Sequence, residues 1–391
     1  MLNTALSPWP SFTQEEADAV SKVLLSNKVN YWTGTECREF EKEFAVFAGT
    51  QYAVAVANGT LALDVALKAM GIGAGDDVIV TSRTFLASAS CIVTAGANPV
   101  FADVDLNSQN ISAETIKAAL TPNTKAVIVV HLAGMPAEMD GIMDLAKEHD
   151  LWVIEDCAQA HGAKYKGKSV GSIGHVGAWS FCQDKIMTTG GEGGMVTTND
   201  KELWSKMWSY KDHGKSYDAV YHREHAPGFR WLHESFGTNW RMMEMQAVIG
   251  RIQLKRMPEW TARRQAHAAK LAESLGKFAS IRLIEVADYI EHAQYKFYAF
   301  VKPEHLKEGW TRDRIVNELN ARKVPCYQGS CSEVYLEKAF DNTPWRPKER
   351  LKNAVELGDT SLMFLVHPTL TDDEIAFCKE HIEAVLAEAT A

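Results

Sequence analysis

The 391-residue chain reads as an α/β protein, with a mostly parallel central sheet in a large domain and a smaller α+β domain after it. Three observations predict this. Short apolar runs recur through the first two hundred residues: YAVAVA (52–57), VIVT (78–81), PVFADV (99–104), KAVIVVHL (125–132), LWVIED (151–156), VGAWSF (176–181) and GGMVTT (193–198). Helical patterns separate most of the earlier runs, the signature of strands buried on both faces. The alternation stops near residue 200, and the remaining chain mixes long helical patterns with a few isolated strand candidates.

The elements follow in order. TQEEADAVSKVLLSN (13–27) has helical spacing, with Thr13 and Glu16 placed as a capping box. Asn58-Gly59-Thr60 turns the first strand into the helix LALDVALKAM. Helices are expected around 86–96, from Ser112 to about 120, and at 138–149. A loop-rich, aromatic and basic stretch fills 209–241. A long helical segment starts near Met242 and runs past Pro258, where a break is expected because proline lacks the amide proton. Strand candidates at 281–286 and 293–301 and helices at 311–322 and 371–388 complete the tail. The expected division is 1–255, a large domain with its N-terminal segment, and 256–391, a small C-terminal domain.

Composition narrows the function classes. With 46% hydrophobic and 23% charged residues the chain has material for a large core, and its net charge of −9 opposes nucleic-acid binding. No run approaches the roughly 20 apolar residues of a membrane span, and MLNTALSPWPSFTQEE lacks the regions of a signal peptide. Seven scattered cysteines read as reduced thiols of a cytoplasmic protein. Cys326 and Cys331 form the one close pair, and no second pair completes a metal site, so no metal is expected.

In open parallel sheets ligands sit at the carboxyl ends of the strands. Asp156 ends one strand, Ser180 ends another with Lys185 close behind, Gly59-Thr60 opens a helix, and Phe85 follows a fourth strand. These groups match the needs of pyridoxal 5′-phosphate. A lysine amine forms the Schiff base, and a carboxylate keeps the pyridine nitrogen protonated so that the ring accepts electrons. A helix start with hydroxyls from Thr60 and Ser180 suits the phosphate, and Gly59 permits its close approach. Phe85 could stack on the ring, and Gln159 could hydrogen-bond its oxygen. Each residue also has a plainer reading: Asp156 as a helix cap, Lys185 as a surface lysine, Phe85 as core, and Asn58-Gly59-Thr60 as an ordinary turn. Their order at strand ends is what favours one site.

The run SFCQDKIMTTGGEGGMVTTND (180–200) resembles the lysine segment of the DegT/DnrJ/StrS family of sugar aminotransferases. EDCAQAHGA (155–163), ANGTLAL (57–63), TFLAS (84–88), GTNWRMMEMQAVIG (237–250) and LMFLVHPTLTDDEI (362–375) resemble further family motifs in order along the chain. The resemblance implies a pyridoxal-phosphate transferase of fold type I and a homodimer with shared active sites, in which Asn239 reaches the neighbour's phosphate. It also implies L-glutamate as amino donor and a keto-sugar as acceptor. Lys185 stands where the related dehydratases carry histidine, which favours transamination. A non-catalytic cofactor-binding regulator is disfavoured, because no DNA-binding segment accompanies the motifs. The wording of 180–194 and 235–246 is most similar to enzymes that aminate C8 of the acid sugar Kdo (3-deoxy-octulosonate) to give Kdo8N for lipopolysaccharide; a nucleotide-linked 3- or 4-keto-hexose is the alternative acceptor. Lys211, Lys215, His222, Arg223, His225 and Arg230 could together face a carboxylate or phosphate, with Arg223 and Arg230 as the candidate substrate contacts. Gly171, Gly174 and Gly177 lack the strand-to-helix setting of a dinucleotide site.

Overall fold

The computed structural model describes residues 6–225, 227–228 and 230–391. The first five residues of the opening stretch, and Ala226 and Phe229 of the basic loop, lie outside the described residues.

Fourteen strands are described: β1 Tyr52–Val56, β2 Asp77–Thr81, β3 Asn98–Ala102, β4 Thr124–Val130, β5 Trp152–Asp156, β6 Lys164–Tyr165, β7 Lys168–Ser169, β8 Val176–Ser180, β9 Gly194–Thr198, β10 Ile281–Leu283, β11 Ile290–Glu291, β12 Phe297–Val301, β13 Cys326–Tyr327 and β14 Ser361–Phe364. Seven of them form the main sheet in the order β1-β9-β8-β5-β4-β2-β3. Pairing is parallel from β8 through β5, β4 and β2 to β3, whereas β9 runs antiparallel to both β1 and β8. All strands of this sheet except β9 therefore point the same way, and their carboxyl ends share one edge.

Both faces of the sheet are covered, as the apolar runs require. Val78 and Val80 pack into one core with Ala126, Ile128 and Ile154. Their neighbours Ile79, Val127, Val129 and Val153 pack into the other. The two-residue alternation of strand side chains thus feeds two cores from one set of strands.

Local signals account for the helix starts. Helix Gln14–Leu25 begins at Thr13 with the expected capping box. Helix Gly59–Ala69 begins at Asn58, whose side chain accepts from the Leu61 amide at 3.0 Å. Helices Ala87–Thr94, Ala113–Ala119, Met139–Glu148, Arg312–Ala321 and Asp372–Ala389 fall where the sequence places them. Helices Glu36–Ala48, Lys201–Tyr210 and Lys352–Thr360 were not expected.

A break at Pro258 does not occur. Helix Glu244–Leu275 continues through it for 32 residues. The roughly 3 kcal/mol cost of an interior proline is offset by packing on the two N-terminal helices and on Asp372–Ala389. It also crosses residue 255, the expected domain boundary. Beyond it, β10-β12-β14-β13 form an antiparallel sheet, whose Phe297, Ala299, Leu362 and Phe364 pack with Leu271 and Leu275 of that helix. The N-terminal segment returns to this end of the molecule, where the Ser7 amide donates to Glu374 at 2.6 Å.

Candidate active site

The carboxyl ends of β1, β2, β5 and β8 open into one cavity of about 980 Å³. Gly59, Thr60, Phe85, Asp156, Gln159, Ser180 and Lys185 all line it. The fold brings them together because each follows a strand of the same direction.

Asp156 is the last residue of β5 and is buried. Its Oδ2 accepts from Ser88 Oγ at 2.8 Å, and its Oδ1 accepts from the Ala158 amide at 3.1 Å. Gln159 turns its carbonyl to the Ala133 amide at 2.8 Å, which leaves its amide nitrogen as the donor end. Gly59 starts its helix directly against Ser180: a Cβ there would meet Ser180 Cβ at 2.5 Å and Oγ at 2.9 Å. Gly194 packs as tightly from below, where a Cβ would lie 2.3 Å from the Asn58 carbonyl oxygen. In the turn between Lys185 and β9, Gly190 and Gly191 have φ of 85° and 122°, backbone that suits glycine. Lys185 extends into the cavity with Nζ 5.5 Å from the centre of the Tyr295 ring.

Three expected site residues do not line this cavity. Asn239 is exposed and bridges Asp212 through its backbone. Arg230 is exposed. Arg223 holds Asp218 at 2.8 Å and also binds Glu234, so its fork is engaged within its own loop. The basic residues of 211–230 do not converge on an anion within this chain. Lys211 is fully buried with Nζ 3.3 Å from the Tyr31 ring centre, and Lys215 contacts Asp212 at 2.9 Å. The spacing of these residues concealed that two of them are core cations.

The chain matches the DegT/DnrJ/EryC1/StrS aminotransferase family over residues 10–383. It belongs to that family. An aminotransferase from Psychrobacter cryohalolentis is 65% identical in sequence and superposes with a TM-score of 0.96, covering 98% of this chain and 99% of that one. The UDP-N-acetyl-3-dehydro-alpha-D-glucosamine 3-aminotransferase of Acidithiobacillus ferrooxidans is 42% identical over 91% of this chain and 90% of its own. DesV of S. venezuelae, solved with a ketimine intermediate, is 31% identical with a TM-score of 0.85, covering 95% and 94%. This protein is a pyridoxal-phosphate-dependent sugar aminotransferase of fold type I.

The cavity of the aminotransferase fits that cofactor on its own features. The start of helix Gly59–Ala69 offers backbone amides to a phosphate, and it sits directly against Ser180 because residue 59 has no side chain. Phe85 is 71% exposed although it lines the cavity, an aromatic face with room for a ring. Burial pushes the Asp156 carboxyl up, while the hydrogen bonds from Ser88 and Ala158 and the charge of Lys185 act against that rise. A cationic ring nitrogen beside Asp156 would act in the same direction as those hydrogen bonds.

Sequence reading missed Ser88, Asp184, Tyr295 and Lys296. Tyr295 donates to Asp184 Oδ2 at 2.5 Å, and both line the cavity. Burial pushes Asp184 up, but the charge of Lys185 and the Tyr295 hydroxyl bring it below the ordinary aspartate value. Ser88 sits one turn past Phe85, inside the TFLAS motif, so its position was a usable signal. Tyr295 and Lys296 come from a segment more than a hundred residues from Lys185, and nothing local marks them.

Nearby, His131, Glu155 and Cys157 bring ligand-type atoms within 4.8 Å of one another. Their hydrogen bonds explain the cluster without an ion. His131 Nδ1 accepts from Ala137 and Nε2 contacts Glu155 at 2.9 Å, while Gly171, Ile173 and Gly174 donate their amides to the same carboxylate. This is also what two of the spaced glycines do. Among the described residues the cysteines form no disulfide, and no helix is long and apolar enough to cross a membrane.

Proposed function

We propose that this aminotransferase moves the amino group of L-glutamate to a keto-sugar carried on a nucleotide, with Lys185 as the cofactor-holding residue. The convergence of Lys185, Asp156 and the Gly59 helix start on one cavity carries the site assignment. The 42% identical relative named for a UDP-linked 3-dehydro sugar supports the acceptor class.

When bound, pyridoxal 5′-phosphate supplies an electron-accepting ring conjugated to the nitrogen being transferred. Asp156 would hold a proton at the ring nitrogen, with Ser88 fixing the carboxylate. Thr60, Ser180 and the helix amides would hold the phosphate, Phe85 one ring face, and the Gln159 amide the ring oxygen. Displaced by the donor, Lys185 Nζ would take the proton from its α-carbon and, in the second half, return one to the sugar carbon.

A second acceptor, 8-oxo-3-deoxy-octulosonate giving Kdo8N, is favoured by the wording of 180–194 and 235–246. The arginines offered for its carboxylate do not strengthen it, since Arg223 is engaged with Asp218 and Glu234. The test is a single-turnover assay. Enzyme in the pyridoxamine form should regain its pyridoxal absorbance with a UDP-, GDP- or dTDP-linked 3- or 4-keto-hexose. Regain with 8-oxo-3-deoxy-octulosonate alone would establish the second reading instead.

The active unit we propose is a cytoplasmic homodimer. Asn239 is exposed on a surface that also presents Phe236 at 98% and Trp231 at 91% exposure. A second copy covering those aromatics would bring Asn239 to its neighbour's phosphate.

A further inference from the structure

Lys296 lies just before β12 and lines the same cavity as Lys185. Its Nζ is 4.7 Å from the Tyr295 ring centre, and Lys185 Nζ is 5.5 Å from that centre. One ring thus seats both ammonium groups, and their separation cannot exceed the sum of those distances. Lys296 is half-buried on the cavity wall, and among the described residues no ion pair within 4.0 Å involves it. A cation withdrawn from water without a counter-charge is unfavourable unless a ligand supplies one.

The groups facing Lys296 come from four elements. Asp184 and Lys185 approach from the lysine loop, and Asp184 already accepts the Tyr295 hydroxyl. Arg264 comes from the long helix: it is fully buried, lies over the Trp9 ring, gives Nη1 to the Tyr295 carbonyl at 3.4 Å, and leaves Nε and Nη2 without hydrogen-bond partners. His367 comes from the segment after β14. Tyr295 belongs to the same segment as Lys296. Cations outnumber the one acid here, so this wall of the cavity is net positive.

We infer that Lys296 is the anchor for a carboxylate of the amino donor, and so a specificity-determining residue for the first half-reaction. This rests on the aminotransferase reading of the cavity. The position argues for the donor over the acceptor. Lys296 shares its ring with the reactive lysine, and a glutamate held there has carboxylates a few bonds from its transferable nitrogen. A nucleotide-linked sugar carries its charge beyond the sugar ring, away from the reacting carbon.

Two substrates with different charge use one site in turn, and Lys296 suits both. Burial, outweighing the pull of Asp184, pushes it down to about 8. A carboxylate would draw a proton onto the amine, and its departure would let that proton go before an uncharged hydroxyl takes its place.

The test uses the pyridoxal-phosphate-loaded enzyme titrated with succinate, a dicarboxylate with no amino group to transfer. Calorimetry near pH 8 in two buffers of different ionisation enthalpy should show proton uptake on binding, fading at lower pH where the free amine is already charged. Lys296→Met should abolish the uptake and weaken succinate at least tenfold. It should also raise the KM for glutamate far more than that for the acceptor. Lys296→Arg, charged at all these pH values, should keep affinity without uptake. Unchanged affinity and uptake in Lys296→Met, or an acceptor KM that rises as much as the donor's, would overturn the assignment. If Lys296→Met does not fold, loss of succinate affinity in the folded Lys296→Arg protein, or uptake persisting there, would overturn it equally. Borohydride trapping of the cofactor on Lys185 is independent of every one of these outcomes, so the underlying reading stands or falls separately.

Discussion

Ser88 Oγ donates a 2.8 Å hydrogen bond to Oδ2 of Asp156, and Thr84 Oγ1 lies 2.8 Å behind it. A chain of two hydroxyls therefore steers the carboxylate proposed to meet the cofactor ring. Burial raises this group and Ser88 opposes the rise. In its proposed role the carboxylate must be charged, so the donor half-reaction should be lost as pH falls through its pKa. Ser88→Ala removes a lowering interaction, and the acid limb should move to higher pH. Asp156→Asn should slow that half-reaction by orders of magnitude with cofactor still bound. Stopped-flow spectra across pH measure both; near-normal rates in Asp156→Asn would reduce Asp156 to a structural role.

Lys185 should be the single site of covalent attachment. Borohydride reduction of the yellow protein, followed by peptide mapping, should place the cofactor on the peptide containing Lys185. Lys185→Ala should keep the fold and the phosphate contact but lose turnover.

Gly59→Ala should weaken cofactor binding by about tenfold or more, or roughly 1.4 kcal/mol. The new methyl would lie 2.5 Å from Ser180 Cβ and 3.0 Å from its Cα. Adding Ser180→Gly removes the nearer clash. Because Ser180→Gly also removes a proposed phosphate contact, the double variant should lose less affinity in fluorescence titrations than the two single losses combined, and an additive loss would show that the clash is not the cause.

Mixing inactive Lys185→Ala protein with inactive Asn239→Ala protein should restore activity. If Asn239 serves the partner's cofactor, the mixed dimer holds one site with both residues intact. If it serves its own chain, both sites are broken and mixing recovers nothing. Sedimentation of the wild-type protein should show a dimer, and a fully active monomer would refute the shared site.

The fold was legible because the same property made the pattern and the sheet. Strands buried on both faces are nearly all apolar, and Val78, Ile79 and Val80 each found a core. The cavity-lining residues were legible because parallel strands end together, and Asp156, Ser180, Gly59 and Phe85 lie at or just past those ends. Lys296 and Tyr295 were not, since no local rule says which distant segment will fold across a strand end. Arg223 misled for the opposite reason. Its local carboxylates, Asp218 and Glu234, were visible in the sequence, but their geometry was not. The expected break at Pro258 failed because a local preference yielded to packing on several sides.

The helix Glu244–Leu275 also bears on how such proteins could be recombined. At 1.5 Å per residue it is a rod about 48 Å long. A chimera joined at residue 255 would be spliced through the middle of this rod, mismatching side chains that each half has fitted to its own sheet. A junction at Gly276, where the rod ends, would exchange the C-terminal sheet whole and leave the rod with the parent that built it.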